Sequence, residues 1–303
     1  MKASKRMLIF FLTPVLVAFG FAFIYPIAHT IYLSFFEVEQ FIGGKETFVG
    51  LENYIRLAKN PIFLQSLQVM VVVWIISTLG NIILALLFTT LLTSGIRGKK
   101  FFRSVIYLPN IVSAVAIGAL WTLFVLNPQY GLFKTIFTAL GLSSLANIPW
   151  LSSDYILWAM LIAMVWASTG WFMLIYLAAV ERIPTEYIES ARLDGANMWQ
   201  ILFSITLPLM RDVLRMTLVM QTMWSINLFT FPMVFGGKAV GATSPQLTTP
   251  AIYMYYKAFG VNMNGASSTP LGSASAVAVF LMLLVLIMYF VITHIFGNER
   301  YEY

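Results

Sequence analysis

The sequence predicts an all-α polytopic membrane protein with six transmembrane helices, because it is rich in apolar residues, poor in charge and contains six long apolar runs. Of its 303 residues, 60% are hydrophobic and 10% are charged, and the mean hydropathy is +0.85. Soluble domains are about 45–50% apolar and about 25% charged. The shortage of charge excludes an ordinary soluble enzyme, a disordered chain and a nucleic-acid-binding protein.

Six windows are long and apolar enough to cross a bilayer, whose core of about 30 Å requires about 20 residues of helix. Five contain no charged side chain, and the sixth contains only His294, near its end. In lipid the backbone must satisfy its own polar groups, which favours helices. The predicted spans are 7–28, 69–94, 104–126, 155–180, 216–235 and 273–296.

The first window follows Lys2, Lys5 and Arg6, as the apolar part of a signal peptide would. Its apolar run is 22 residues long, whereas the apolar region of a signal peptide has about 7–15. We therefore expect an uncleaved first span.

Two sets of connecting segments alternate along the chain, and one is far richer in Lys and Arg. It holds 12 of these residues in 57 positions, whereas the other holds 6 in 105. Cytoplasmic loops carry the excess of cations, so the richer set is predicted to be cytoplasmic, with both termini inside. The richer set is 1–6, 95–103, 181–215 and 297–303, and the poorer set is 29–68, 127–154 and 236–272.

Several kinds of chemistry lack their residues. There is no cysteine, and His29 and His294 lie at opposite ends of the chain, so disulfides, thiol catalysis and a histidine metal site are excluded. Each of three Gly-Lys pairs lacks the following Ser or Thr with which a P-loop holds Mg²⁺. If ATP drives this protein, another chain must hydrolyse it.

The spans carry small polar side chains but almost no charge, which argues against proton-driven transport and voltage sensing. Helix–helix packing explains such residues, and so does a neutral, hydrogen-bonding path for a solute such as a sugar. Both interpretations stay open for the candidate substrate path on the fifth span, Gln221, Trp224, Ser225 and Asn227. The other small polar residues are Ser77, Thr78, Asn81, Ser168, Thr169 and Thr230.

The cytoplasmic segment 181–215 predicts two short helices. Thr185 is expected to cap the first helix, and Gly195 is expected to end it in the left-handed conformation. Asn197 is expected to cap the second helix, and Pro208 to break or kink the run before Arg211.

The first of these helices has a small, approachable surface flanked by acidic residues. Tyr187, Ile188 and Ala191 share one face. A helix lying on the membrane would carry a basic polar face, whereas this one has Glu186 and Glu189. Docking to a partner protein is therefore favoured over membrane association.

The order Glu189-Ser190-Ala191, Asp194-Gly195-Ala196 and Ile205-Thr206-Leu207-Pro208 resembles the EAA loop of ABC importer permeases. The family pattern is Glu-Ala-Ala, a Gly four residues after the second Ala, and a distal Ile-x-Leu-Pro. The chain departs from it at Ser190, which is also small. Further fragments resemble the carbohydrate-uptake branch, of the maltose and glycerol-phosphate type. They are Phe48-Val49-Gly50-Leu51-Glu52-Asn53-Tyr54, Phe101-Phe102-Arg103, Leu108-Pro109, Gly131-Leu132, Gly236-Gly237, Tyr253, Ala258-Phe259 and Gly272-Ser273-Ala274.

The resemblance implies a type I ABC importer permease, one transmembrane permease domain over 1–303, in a bacterial or archaeal plasma membrane. Its implied partners are a second, related permease that would complete a heterodimer, two cytosolic ATPase subunits and an extracellular binding protein. The ATPases would bind ATP and Mg²⁺, so no cofactor is expected in this chain, and no nucleic acid is expected as a partner.

The resemblance also assigns residue roles. Segment 181–215 would be the coupling segment, with Pro208 positioning the span that follows it. External contacts with the binding protein would fall on Phe41-Ile42-Gly43-Gly44, Tyr130-Gly131 and 236–272, unless these are plain connecting loops. ATPase contact and coupling would be carried by Glu189, Ser190, Ala191, Asp194, Gly195 and Ala196.

The sequence therefore predicts a non-enzymatic permease subunit that translocates a neutral mono- or oligosaccharide by alternating access. The alternative is a secondary transporter or channel that acts alone on a small neutral solute. An intramembrane enzyme is disfavoured, because the spans lack paired carboxylates or histidines.

Overall fold

The computed structural model describes residues 5–38, 45–236, 244–259 and 271–297, and nearly all of its regular structure is helical. The helices are α1 Lys5–Phe19, α2 Tyr25–Leu33, α3 Glu52–Lys59, α4 Pro61–Thr93, α5 Lys99–Ile111, α6 Ala114–Leu120, α7 Leu132–Ala139, α8 Ser143–Ala146, α9 Ile156–Val180, α10 Thr185–Leu193, α11 Met198–Ile201, α12 Leu207–Leu209, α13 Arg211–Ile226, α14 Thr230–Phe235, α15 Pro250–Phe259 and α16 Leu271–Phe296. Shorter elements are the π-helical turns Gly20–Ile24, Trp121–Val125 and Leu202–Thr206, the 3₁₀ turn Pro245–Leu247, and the strands β1 Phe36–Val38 and β2 Glu46–Phe48.

Within the described residues, four helices are long and apolar enough to cross a membrane, and a bent pair gives a fifth candidate. The pair is α5 with Ala114–Val125, which meet at 98°. The count from the structure is thus four or five, where the sequence predicts six. The four helices are Phe10–Leu33, Pro61–Thr93, Ile156–Val180 and Leu271–Phe296.

The predicted span 216–235 is interrupted in the structure. Helix α13 ends at Ile226 and α14 begins at Thr230, so two short helices replace one long one. Pro232 lies in the first turn of α14, where its missing N–H costs no hydrogen bond. In a continuous helix its ring would clash with the carbonyl four residues earlier, and the break avoids this clash.

The predicted span 104–126 is bent between α5 and α6. Val112 and Ser113 have extended backbones, with ψ of 140° and 146°. Ser113 then caps α6, because its Oγ accepts a hydrogen bond from the Ala116 N–H at 3.2 Å. Pro109, in the last turn of α5, precedes the bend.

The chain forms two compact units. The first consists of Met1–Leu64 and Tyr253–Leu283 and contains the antiparallel β1–β2 pair. Asn53, which is 2% exposed, donates to the Ser34 and Phe36 carbonyls at 3.0 and 2.9 Å. This buried amide therefore satisfies the backbone carbonyls where α2 passes into β1.

The second unit, Gln65–Ile252 with Leu284–Tyr303, is built around α9. One hydrophobic cluster packs Ala159 and Met160 with Trp121 of the turn after α6. The other packs Phe172 and Tyr176 with residues of α4 and with Met210. Helix α9 is therefore buried along most of its length, and the helices around it position the cavity described below.

The first helix of segment 181–215, the predicted coupling segment, begins differently from the prediction. Thr185 is not the cap of α10: it is the first helical residue, and the capping position is Pro184, which makes no side-chain hydrogen bond. The fixed backbone of proline already suits a helix start. The predicted end is confirmed: Gly195 has φ of +82°, and the Ala196 N–H donates to the Ala191 carbonyl at 2.9 Å.

The second helix of this segment begins as predicted. Asn197 Oδ1 accepts from the Trp199 and Gln200 N–H groups at 3.0 and 2.9 Å. In turn, Gln200 Oε1 accepts from the Asn197 N–H at 2.7 Å, which completes a capping box. Pro208 lies within α12, and the helical run is interrupted at Met210, two residues later than Pro208 itself.

Candidate functional site

A cavity of about 310 Å³ lies in the second unit, beside the bend between α5 and α6. Its volume is at the lower end of the roughly 300–1,000 Å³ of small-molecule sites. Helices α5, α6, α9 and α13 supply most of its wall. The lining residues are Pro109, Asn110, Val112, Ala114, Ile117, Met164, Ala167, Ser168, Gln221, Trp224, Ser225, Leu228 and Phe231.

Three of the four residues predicted for the substrate path line this cavity: Gln221, Trp224 and Ser225. Asn227 does not line it. Its side chain is exposed at the end of α13 and donates from Nδ2 to the Met223 carbonyl at 2.9 Å. The structure therefore separates Asn227 from the cluster in which the sequence placed it.

Two polar side chains at the cavity have no hydrogen-bond partner among the described residues. Ser225 Oγ is buried and unpaired, and the amide of Asn110, which is half-buried, makes no hydrogen bond. Buried polar groups are normally paired, by protein or by a bound molecule. The sequence prediction missed Asn110. The available signal was the single amide side chain of the predicted span 104–126, next to Leu108-Pro109.

The other polar groups at the cavity belong to a buried hydrogen-bond network between helices. Gln221 on α13 donates from Nε2 to Ser77 Oγ at 2.8 Å and accepts at Oε1 from Asn81 Nδ2 at 3.3 Å. Asn81 Oδ1 accepts from Ser168 and Thr169 on α9 at 2.9 and 3.3 Å. The sequence left open whether the small polar residues pack the helices together or line a path for a solute. This network packs α4, α9 and α13 together, and two of its members, Ser168 and Gln221, also line the cavity.

An aromatic surface forms another part of the site. The ring of Trp224 contacts those of Trp171 and Phe172, with centroid distances of 4.8 and 5.8 Å. Trp224 remains 45% exposed, so its ring is held by neighbours and still accessible from the cavity.

The site is electrically neutral. None of the described residues that line the cavity has a charged side chain. The described parts of the chain also contain no cluster of three metal-ligating His, Cys, Asp or Glu residues. Hydrogen bonding, apolar contact and shape are therefore the means by which this cavity can select a ligand.

The predicted coupling residues lie on an exposed segment. No residue of α10 is buried, and Leu193 at its end is 89% exposed. Behind α10, a second cavity of about 320 Å³ separates Ile188 and Arg192 from Thr90 and Thr93 of α4. The segment thus exposes the apolar side chain of Leu193 at the end of α10, and part of the space between α10 and α4 is empty.

Many of the residues predicted to contact a binding protein are not among those that the structure describes. Residues 41–44 and much of 236–272 lie outside the described residues. Tyr130 is exposed, whereas Gly131 is buried at the start of α7.

An uncharged cavity, in a chain with several helices long and apolar enough to cross a membrane, is typical of a membrane transport protein. The family model of the binding-protein-dependent transport system inner membrane component matches residues 69–298, and the chain belongs to this family. The predicted resemblance to ABC importer permeases is confirmed. The chain is the membrane subunit of a binding-protein-dependent transport system, and the ATPase of such a system is a separate subunit. This membership excludes the alternative of a transporter that acts alone.

Relatives match over nearly the whole chain. A probable ABC transporter permease, YurN of Bacillus subtilis, is 32% identical, with 91% of each chain covered. The trehalose/maltose permease MalF of Thermococcus litoralis is 31% identical, covering 93% of this chain and 90% of its own. The sn-glycerol-3-phosphate permease UgpA of Brucella abortus is 31% identical, covering 93% and 92%.

A solved structure shares the fold. It is that of a bacterial ABC transporter involved in the import of the acidic polysaccharide alginate. The TM-score is 0.80 at 19% identity, and the match covers 96% of this chain and 95% of that chain.

Proposed function

We propose that this permease imports a neutral mono- or oligosaccharide, which passes through the cavity between α5, α6, α9 and α13. One observation carries the proposal. The uncharged cavity offers the unpaired Ser225 hydroxyl and Asn110 amide beside the accessible ring of Trp224. These are the groups that a sugar needs.

Each sugar hydroxyl both donates and accepts hydrogen bonds, and hydroxyl and amide side chains supply both functions. The apolar faces of a sugar ring pack against aromatic rings, as other apolar surfaces do. A phosphate or carboxylate would instead call for Arg or Lys, which the described lining lacks. Trehalose and maltose, named for the relative from Thermococcus litoralis, therefore fit better than the glycerol phosphate named for the relative from Brucella abortus.

The coupling segment 181–215 is proposed to dock into a cleft of the ATPase, through Glu189, Ser190, Ala191, Asp194, Gly195 and Ala196, with Pro208 positioning the helix that follows. The exposure of α10 and of Leu193 supports a protein contact here. Closure of the ATPases on ATP would move this segment and switch the cavity between its outward and inward openings, which is alternating access.

The complete importer would contain this chain as one permease domain, a related second permease, two ATPase subunits that bind ATP and Mg²⁺, and an external binding protein. Six spans with both termini in the cytoplasm are proposed, because the connecting segments differ strongly in their density of Lys and Arg. The membrane would be the plasma membrane of a bacterium or archaeon.

Reconstitution tests the proposal. The chain is co-expressed with a candidate second permease, ATPase and binding protein from the same organism, and the purified complex is placed in liposomes. We expect uptake of labelled trehalose or maltose only with both ATP and the binding protein present, and little uptake of glycerol 3-phosphate. Uptake without ATP, or a preference for glycerol 3-phosphate over both disaccharides, contradicts the proposal.

The lack of cysteine allows a direct test of the site. A Ser225→Cys variant is labelled with a thiol reagent, with and without the transported disaccharide. Ser152→Cys is the matched control, because Ser152 Oγ is also buried and unpaired but does not line the cavity. We expect the sugar to protect Cys only at position 225, and equal labelling in both conditions would place the sugar elsewhere.

A further inference from the structure

We infer that Asn81 is a positioning residue for substrate recognition: it does not line the cavity, yet it holds two side chains that do. These are Gln221 and Ser168, on different helices of the wall. The inference rests on the proposed function of the cavity and adds to it a residue in the layer behind.

Asn81 lies on α4 and is 1% exposed. Its Nδ2 donates to Gln221 Oε1 at 3.3 Å, and its Oδ1 accepts from Ser168 Oγ at 2.9 Å. Ser77, one helical turn earlier, accepts from Gln221 Nε2 at 2.8 Å. Helix α4 thus fixes both ends of the Gln221 amide.

This arrangement sets what the cavity offers to a ligand. The Gln221 amide has two N–H donors and two acceptor positions, and α4 uses one of each. One donor and one acceptor are left for a sugar. Ser168 has a single hydroxyl hydrogen, which it directs to Asn81 Oδ1 or to the Met164 carbonyl at 2.8 Å. Ser168 therefore remains an acceptor towards the cavity.

Loss of the Asn81 amide affects these groups unequally. The Ser168 hydroxyl keeps the Met164 carbonyl, and Thr169 keeps the Val165 carbonyl at 2.6 Å. Gln221, in contrast, loses one of its two anchors. Replacement of Asn81 should thus leave the helices packed and free the Gln221 amide to rotate.

The test measures uptake kinetics of trehalose and maltose by the reconstituted importer. For Asn81→Ala we expect KM to rise roughly 2- to 10-fold, the range that one uncharged hydrogen bond represents, with little change in the maximal rate. Ser77→Ala, which removes the other anchor by a smaller change, is expected to act in the same direction. It also keeps the inference testable if Asn81→Ala does not fold.

Trp74→Phe is the matched control. Trp74 Nε1 donates to Thr222 Oγ1 at 2.9 Å, so this bond also joins α4 to α13. Neither residue lines the cavity. A general loosening of the two helices would raise KM in Trp74→Phe as well, whereas a positioning role of Asn81 leaves KM in Trp74→Phe unchanged.

A double substitution identifies the residue through which Asn81 acts. If Asn81 works through Gln221, adding Asn81→Ala to Gln221→Ala should not raise KM beyond that of Gln221→Ala alone. A multiplicative increase, an unchanged KM in both Asn81→Ala and Ser77→Ala, or an equal increase in Trp74→Phe overturns the inference. A wild-type importer that fails to take up either disaccharide with ATP and binding protein contradicts the proposed function instead.

Discussion

Gly170 on α9 lies directly against the backbone of Ile106 on α5. A Cβ atom at position 170 would lie 2.4 Å from the Ile106 carbonyl oxygen, well inside the 3.0 Å below which neighbouring atoms must shift. Membrane helices approach this closely only at small residues. Because α5 leads into the bend beside the cavity, this contact helps to place Asn110 in the cavity wall.

Gly170→Ala is therefore expected to force α5 and α9 apart. Overpacking of this kind costs about 1–3 kcal/mol, and the melting temperature of the purified importer should fall. Gly20→Ala is the control, because a Cβ at position 20 meets nothing within 4 Å. Equal melting temperatures of the two variants would show that α5 can move without cost.

Substitutions of Gly195 separate backbone conformation from side-chain size. Its φ of +82° is tolerated by Gly and, next best, by Asn, and is strongly disfavoured for a β-branched residue. A Cβ here meets nothing within 4 Å, so the chain itself offers no clash. We expect Gly195→Val to lose sugar-stimulated ATP hydrolysis and Gly195→Asn to keep most of it. Loss of activity in both variants would indicate a steric contact with the ATPase instead.

Ser225→Ala is expected to have opposite effects on stability and on transport. Removal of a buried, unpaired hydroxyl stabilises a protein by about 1–3 kcal/mol, whereas KM for the sugar should rise. Thr78→Val is the control: Thr78 Oγ1 is also buried and unpaired but does not line the cavity. It should raise the melting temperature without changing KM. An unchanged KM in Ser225→Ala would remove Ser225 from the substrate path.

Asn110 and Asn227 allow a direct comparison of the structure with the sequence prediction. Asn110 lines the cavity with a free amide, whereas Asn227 lies outside it and bonds to the Met223 carbonyl. Asn110→Ala should raise KM for trehalose or maltose roughly 2- to 10-fold, and Asn227→Ala should leave it nearly unchanged. The reverse order would favour the path predicted from the sequence.

Much of the helical architecture could be predicted from local sequence. The window 155–180 matches α9, Ile156–Val180, to within one residue, and 273–296 closely matches α16, Leu271–Phe296. Apolar length is a local property, and so is the cap that Asn197 forms. The bend after Ile111 and the break after Ile226 were not predicted, because hydropathy is continuous through both and only backbone geometry distinguishes a bent helix from a straight one.

The candidate site was predicted only in part. Gln221, Trp224 and Ser225 are spaced three and four residues apart on α13, so the sequence alone indicates that they share one face of a helix. Asn110 comes from α5, and its place beside them depends on how the bend packs against α9.

By itself, the sequence determined that this chain is a membrane permease and predicted its coupling segment, since composition, apolar length and motif spacing are local properties of the chain. Only the tertiary structure decided which polar side chains serve the helices and which serve the cavity. Asn81 and Gln221 are 140 positions apart and are joined by one hydrogen bond. Such a bond exists only when α4 and α13 lie side by side, and that depends on the shape of every helix between them.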